Sequence, residues 1–204
     1  MSTALRFPGF GENAARFQLH RPGPSPTVGA VPELIDPTER LTESFAAAIE
    51  EFIAEGRGGP EDRSLLGAMI RDNPGDPRDW IPAHLARERR WRTEAPEDFV
   101  TMTMLWWVEG DTYLGRISIR HELNEHLREF GGHIGYDVRP SARRRGHATA
   151  MLAAALPRAA ALGIDQALIT CDTDNTGSRK AIERNGGRFE DQRGDKLRYW
   201  VPTA

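Results

Sequence analysis

The sequence predicts a mixed α/β protein, with a mostly antiparallel central sheet that carries one parallel strand pair and helices on both faces. Three observations predict it. Two amphipathic helical stretches precede residue 96, and the alternating run from Phe99 to Arg120 folds back at Glu109-Gly110-Asp111. An apolar strand, an Ala/Leu-rich helix and a second apolar strand then follow one another between His133 and Cys171. A tight turn makes the first pair antiparallel, whereas a helical crossover makes the second parallel.

Each element has its own signal. Residues 1–37 are rich in Gly and Pro, and Arg21-Pro22-Gly23-Pro24-Ser25-Pro26 cannot continue a helix or a central strand. A short strand is expected just before it, at Phe17-Gln18-Leu19-His20. Thr38 is a candidate N-cap for a helix in which Leu41, Phe45, Ile49, Phe52 and Ile53 recur at helical spacing and which Gly56 ends. Pro77 to about Trp91 reads as a second helix, with Trp80, Ile81, His84 and Leu85 on one side. Glu122 to Phe130 is charged and reads as a short helix or loop broken by Gly131-Gly132, after which His133 to Val138 is a strand ended by Arg139-Pro140. A helix is expected from about Ala148 to Leu162, closed by Gly163, with Pro157 inside it. Gln166 to Cys171 is a strand, Thr176 to Asn185 a helix that Asn175 can cap, and Arg188-Phe189 and Leu197 to Val201 are terminal strands. Residues 1–96 are expected to form an N-terminal segment with helices that belong to the same domain as a core at 97–204.

The 204 residues carry a net charge of −3, which argues against a dedicated nucleic-acid binder. Cys171 stands alone and the six histidines are scattered, so no disulfide framework and no metal site are expected. No run of about 18 apolar residues exists and Met1 to Arg21 lacks a signal-peptide core, so a cytoplasmic protein without membrane contact is expected.

The most informative stretch is Arg139 to Thr149, where Arg143, Arg144, Arg145 and Gly146 sit in the turn between strand and helix. The first N–H groups of a helix lack intrahelical partners and carry partial positive charge, so such a turn suits a phosphate. The same residues also read as a solvated basic turn.

In its context this stretch resembles the GNAT superfamily of acyl-CoA N-acyltransferases. The family motif Arg/Gln-x-x-Gly-x-Gly/Ala stands here as Arg143-Arg144-Arg145-Gly146-His147-Ala148, and Asn175-Thr176-Gly177-Ser178 followed by Gly186 matches a second family motif. Gly131 to Tyr136 is similar to a bacterial subgroup of acetyltransferases. The resemblance covers about residues 97–201. It implies a splayed parallel pair, with the pantetheine arm of acetyl-CoA on backbone groups of Tyr136, Asp137 and Val138. The pyrophosphate would lie on the N–H groups of Arg144, Arg145, Gly146, His147, Ala148 and Thr149, with added side-chain charge from Arg143 to Arg145. Asn175 and Ser178 would meet the pantetheine end, although Asn175 also reads as a helix cap alone. Direct transfer of acetyl to a primary amine, of a small molecule first, follows; protein N-terminal or lysine acceptors, an association as homodimer, and a non-catalytic acyl-CoA sensor stay open.

The family's acid–base residues do not carry over. The Tyr seven residues after the Asn is Ile182, and the Glu five residues before it is Thr170. Asp137 and His133 are the remaining catalytic candidates, with Glu122 and Glu125 behind them, each with a structural reading beside it. Cys171 reads as a small core residue rather than a nucleophile, and Trp106, Trp107, Tyr199 and Trp200 as core rather than acceptor pocket.

Overall fold

The computed structural model describes residues 30–204; the strand expected at Phe17 to His20 lies outside them. Seven strands form one sheet in the order β1-β2-β3-β4-β5-β7-β6, from β1 (Glu33–Ile35), β2 (Met102–Glu109), β3 (Thr112–Arg120), β4 (Ile134–Val138), β5 (Gln166–Asp172), β6 (Arg188–Arg193) and β7 (Lys196–Pro202). Every neighbouring pair is antiparallel except β4 with β5. Helices α1 (Thr42–Ala54), α2 (Leu65–Asp72) and α3 (Pro77–Arg90) cover one face; α4 (His147–Ala161) and α5 (Thr176–Arg184) cover the other.

Two apolar cores follow from this layering. Ile117, Ile119, Ile134 and Ile169 meet Met151, Leu152 and Ala155 of α4 on one face. On the other, Trp106, Val108 and Tyr113 meet Phe45, Ile49 and Phe52 of α1 and Ile81 and Leu85 of α3. The central strands are therefore buried on both sides. A bulge in the β2–β3 register at Trp107/Val108 moves Leu114 to the α4 face and leaves Tyr113 on the α1 face.

The expected helix starts hold. Thr38 caps a 3-10 turn (Glu39–Leu41) that leads into α1, and Asp76 caps α3 with Pro77 at its first position. Two elements escaped the sequence: β1, only three residues long and ordered by pairing with β2, and α2, whose signal is the Ser64 hydroxyl accepting from Gly67 N–H at 3.0 Å. The charged segment after Glu122 is a single π-helical turn, Leu127–Gly131. No helix among the described residues is long and apolar enough to cross a membrane.

Candidate active site

The central feature is a gap in the sheet. β4 pairs with β3 along its whole length, from Gly115↔Val138 to Ile119↔Ile134, but meets β5 only at Ile134↔Ile169. Beyond that point the two parallel strands diverge, and residues 135–138 have no partner on β5. His133 closes the joined end: its N–H donates to Leu168 O at 2.7 Å, and its Nδ1 accepts from Leu168 N–H at 2.9 Å. The joint needs glycine just before it. Gly132 has φ +63°, and a Cβ there would stand 2.4 Å from Leu168 O.

At the open end, β4 runs through a 3-10 turn (Pro140–Ala142) into the arginine loop and the start of α4. Arg144 and Gly146 both adopt positive φ, 61° and 85°. These two left-handed residues curl the backbone just ahead of the unpaired N–H groups of α4, the geometry of an anion-binding nest. The side chains divide. Arg143 pairs with Glu55 of α1 through two contacts of 2.8 Å and donates to Val138 O, so its charge is already met within the protein. Arg144 and Arg145 are exposed and pair with no carboxylate among the described residues. The His147 ring turns away from the loop into the core, where Trp107 Nε1 donates to its Nδ1 at 3.2 Å, so only its backbone faces the nest. α1 fixes the loop from outside: Glu51 accepts from Arg139 and from Ser141 N–H. Burial raises the Glu51 pKa, but these hydrogen bonds outweigh it and hold the carboxyl below its usual range.

Asn175 caps α5, its Oδ1 accepting from Ser178 N–H at 3.0 Å. Tyr136 reaches across the gap from β4, and its hydroxyl lies 2.7 Å from Ser178 Oγ. Burial pushes the Tyr136 phenol up to about 12, against the pull of the Ser178 hydrogen bond. This hydroxyl pair went unnoticed in the sequence, where Tyr136 was assigned through its backbone alone. The signal was there: an aromatic side chain two residues past the joint, with its partner at the third position of the helix opposite.

The two proposed bases stand differently. His133 has no free lone pair, since Nδ1 accepts from the backbone and Nε2 then carries the proton. Burial and the charges of Arg128 and Arg120 lower it to about 4. This geometry corrects the reading of His133 as a base. Asp137 accepts from Arg116 Nε and Arg57 Nη2, each at 3.2 Å, on the sheet face covered by α1 and α2; it does not order the arginine loop. Thr170 donates to Phe130 O and Ile182 is fully buried, so neither position offers an acid or base.

Residues 59–188 match the family described as Acetyltransferase (GNAT) domain. The chain belongs to this family. As a GNAT acetyltransferase it is an enzyme whose co-substrate is acetyl-CoA. No curated protein matches its sequence. Solved GNAT structures share the fold. Mycobacterium smegmatis RimJ, in complex with a CoA disulfide, is 18% identical over 85% of this chain and 82% of its own, with a TM-score of 0.62. The microcin C7 self-immunity acetyltransferase MccE, in complex with acetyl-CoA and AMP, is 14% identical over 84% of this chain and 92% of its own, at 0.57. RimL, a ribosomal L7/L12 alpha-N-protein acetyltransferase in complex with coenzyme A, is 15% identical over 86% and 96%, at 0.58.

Proposed function

We propose that this GNAT acetyltransferase moves acetyl directly from acetyl-CoA to a primary amine of a small molecule, both bound at once. One observation carries the reading: β4 loses its β5 partner after Ile134, and the free edge leads straight to the left-handed arginine loop at the start of α4. In this reading the diphosphate lies on N–H groups of Arg144 to Thr149, with Arg144 and Arg145 supplying side-chain charge. The pantetheine arm then follows Tyr136, Asp137 and Val138 as an added strand and passes Asn175 and Ser178.

The chemistry follows from the same placement. Fixing thioester and amine together removes much of the entropic barrier. A β4 N–H near Tyr136 to Val138 steadies the oxyanion of the tetrahedral intermediate. The Tyr136–Ser178 hydroxyl pair lies on the side of the leaving sulfur and is the proton source for the thiolate. Burial keeps the phenol protonated at any working pH, so it is the placement of the hydroxyl pair, and not its acidity, that supports this role. Asp137 is already clamped by two guanidinium groups, so the incoming ammonium loses its proton through water. In this reading α1, α2 and α3 shape the acceptor side of the same domain. A cleft of about 400 Å³ between α1 and the α2–α3 connection, walled by Ile49, Ile53, Ile70 and Trp80, supports that division and a compact acceptor. The single Cys171 is buried and free, in keeping with a reducing cytoplasm.

A second reading, an α-amine of a protein as acceptor, is favoured by the likeness to RimL. The test combines calorimetry of acetyl-CoA binding with thiol release across small amines and peptides with free N-termini. Tight binding and release with small amines supports the proposal. Release with peptides alone moves the assignment to the second reading, and no binding by folded protein ends both.

A further inference from the structure

On the acceptor face, beside the joined end of β4 and β5, three donors converge without an acceptor. Arg120, the last residue of β3, is half-buried beneath the π-helical turn, and its Nη1 donates to Gly131 O and Gly132 O, both at 3.1 Å. Nε and Nη2 donate to nothing among the described residues, and no carboxylate pairs with the group. The guanidinium lies over Gly135, whose missing Cβ leaves its nitrogens 3.6 and 3.7 Å from that position. Gly135 is the first residue of β4 past the joint. Burial, with Arg116 nearby, lowers Arg120 to about 10, the mark of a cation short of counter-charge. Next to it, the His133 ring holds its proton on Nε2 and stands 6.4 Å from the Trp200 ring. Arg128, whose charge with that of Arg120 acts on His133, lines a neighbouring pocket of about 220 Å³ together with Leu168 and Trp200. The other charges there are already matched: Arg193 pairs with Glu129 and Asp191, and Arg198 with Glu190 and Asp191.

We infer that Arg120, with Arg128 and the His133 Nε2–H, forms a subsite for a carboxylate on the acceptor, so that the substrate is an amino acid or a close derivative with amine and carboxylate a few atoms apart. The inference rests on the proposed acetyl-transfer site and names its substrate class. Position along β4 supports it. A carboxylate beneath Arg120 and Gly135 lies at the joined end of the same free β4 edge that carries the thioester in the proposed site. A planar guanidinium with one free fork, Nε–H and Nη2–H, suits a carboxylate in particular.

The test uses two conjugates of coenzyme A, its sulfur joined through a CH2–C(O) unit to the nitrogen of glycine in one and of glycinamide in the other. Calorimetry measures both, and coenzyme A alone, on the full chain. The carboxylate conjugate is expected to bind about tenfold or more tighter than the amide. Arg120→Gln brings the ratio close to one while coenzyme A binds as before. Arg128→Gln, at a side chain that makes no hydrogen bond or ion pair among the described residues, lowers the ratio in part and serves if the Arg120 variant fails to fold. Equal binding of the two conjugates by protein that binds coenzyme A overturns the inference alone. Failure to bind coenzyme A overturns the transfer site beneath it.

Discussion

At the scale of single residues, Tyr136 and His133 show how one strand divides its work. Tyr136 turns toward α4 and α5 and His133 toward the acceptor face, because successive side chains of a strand alternate. Tyr136→Phe keeps the ring and removes the proton source, so kcat should fall by about a hundredfold with acetyl-CoA binding little changed. In the wild type, the loss of rate that an ordinary tyrosine acid brings near pH 10 should move to higher pH, since the phenol sits at about 12. An unchanged kcat in the Phe variant removes Tyr136 from the chemistry. His133 makes a prediction about stability. Its folded value of about 4 lies below the ordinary 6.5, so its contribution is complete above pH 6.5 and is lost as pH falls toward 4. Urea midpoints at pH 7 and 4.5 should therefore differ less in His133→Gln, which keeps an acceptor for Leu168 N–H but no titrating ring. His121 and His147, also lowered, act alike in both proteins and cancel in the comparison.

Among the elements, the β4–β5 pair is decisive because it is joined at one end only. The joint is a few hydrogen bonds around Ile134, Ile169, His133 and Leu168. Gly132 allows the approach that makes it. Gly132→Ala combines a left-handed backbone with a clash against Leu168 O, and should cost about 3 kcal/mol or more in denaturant unfolding. A loss below about 1 kcal/mol would mean that the joint tolerates a larger separation than its geometry implies. The outer anchor is α1, whose Glu51 and Glu55 hold Arg139, Ser141 and Arg143. The helix that walls the cleft proposed for the acceptor thus also braces the arginine loop.

For the molecule as a whole, ligand and fold share one free-energy balance. In the proposed placement acetyl-CoA bridges β4, the α4 loop and α5, elements that the sheet itself leaves apart. At a concentration about a hundred times its Kd it should add about 2.7 kcal/mol to stability, a rise in Tm of about 5–10 °C. With the diphosphate on the proposed arginine loop, that rise should shrink as salt is added. A Tm indifferent to acetyl-CoA at saturating concentration contradicts binding to the folded state.

The sequence alone determined six of the seven strands, four of the five α-helices and the arginine turn between strand and helix, because each of these is written in local pattern. Alternation from Phe99 to Arg120, Asn175 before Thr176, and Arg143 to Gly146 between strand and helix each specify backbone conformation within a few residues. α2 was just as local, yet too short to stand out between Gly58-Gly59 and Gly75. Only the tertiary structure decided which polar groups are free to act. Arg143 is matched by Glu55, 88 residues away, and Asp137 by Arg57, 80 residues away. His133 loses its lone pair to Leu168, while Arg120 keeps unmatched hydrogens beneath a turn of unusual helix. Charge and hydrogen-bond capacity are consumed by whatever neighbours the fold supplies, and those neighbours lie too far along the chain for any local pattern to reveal.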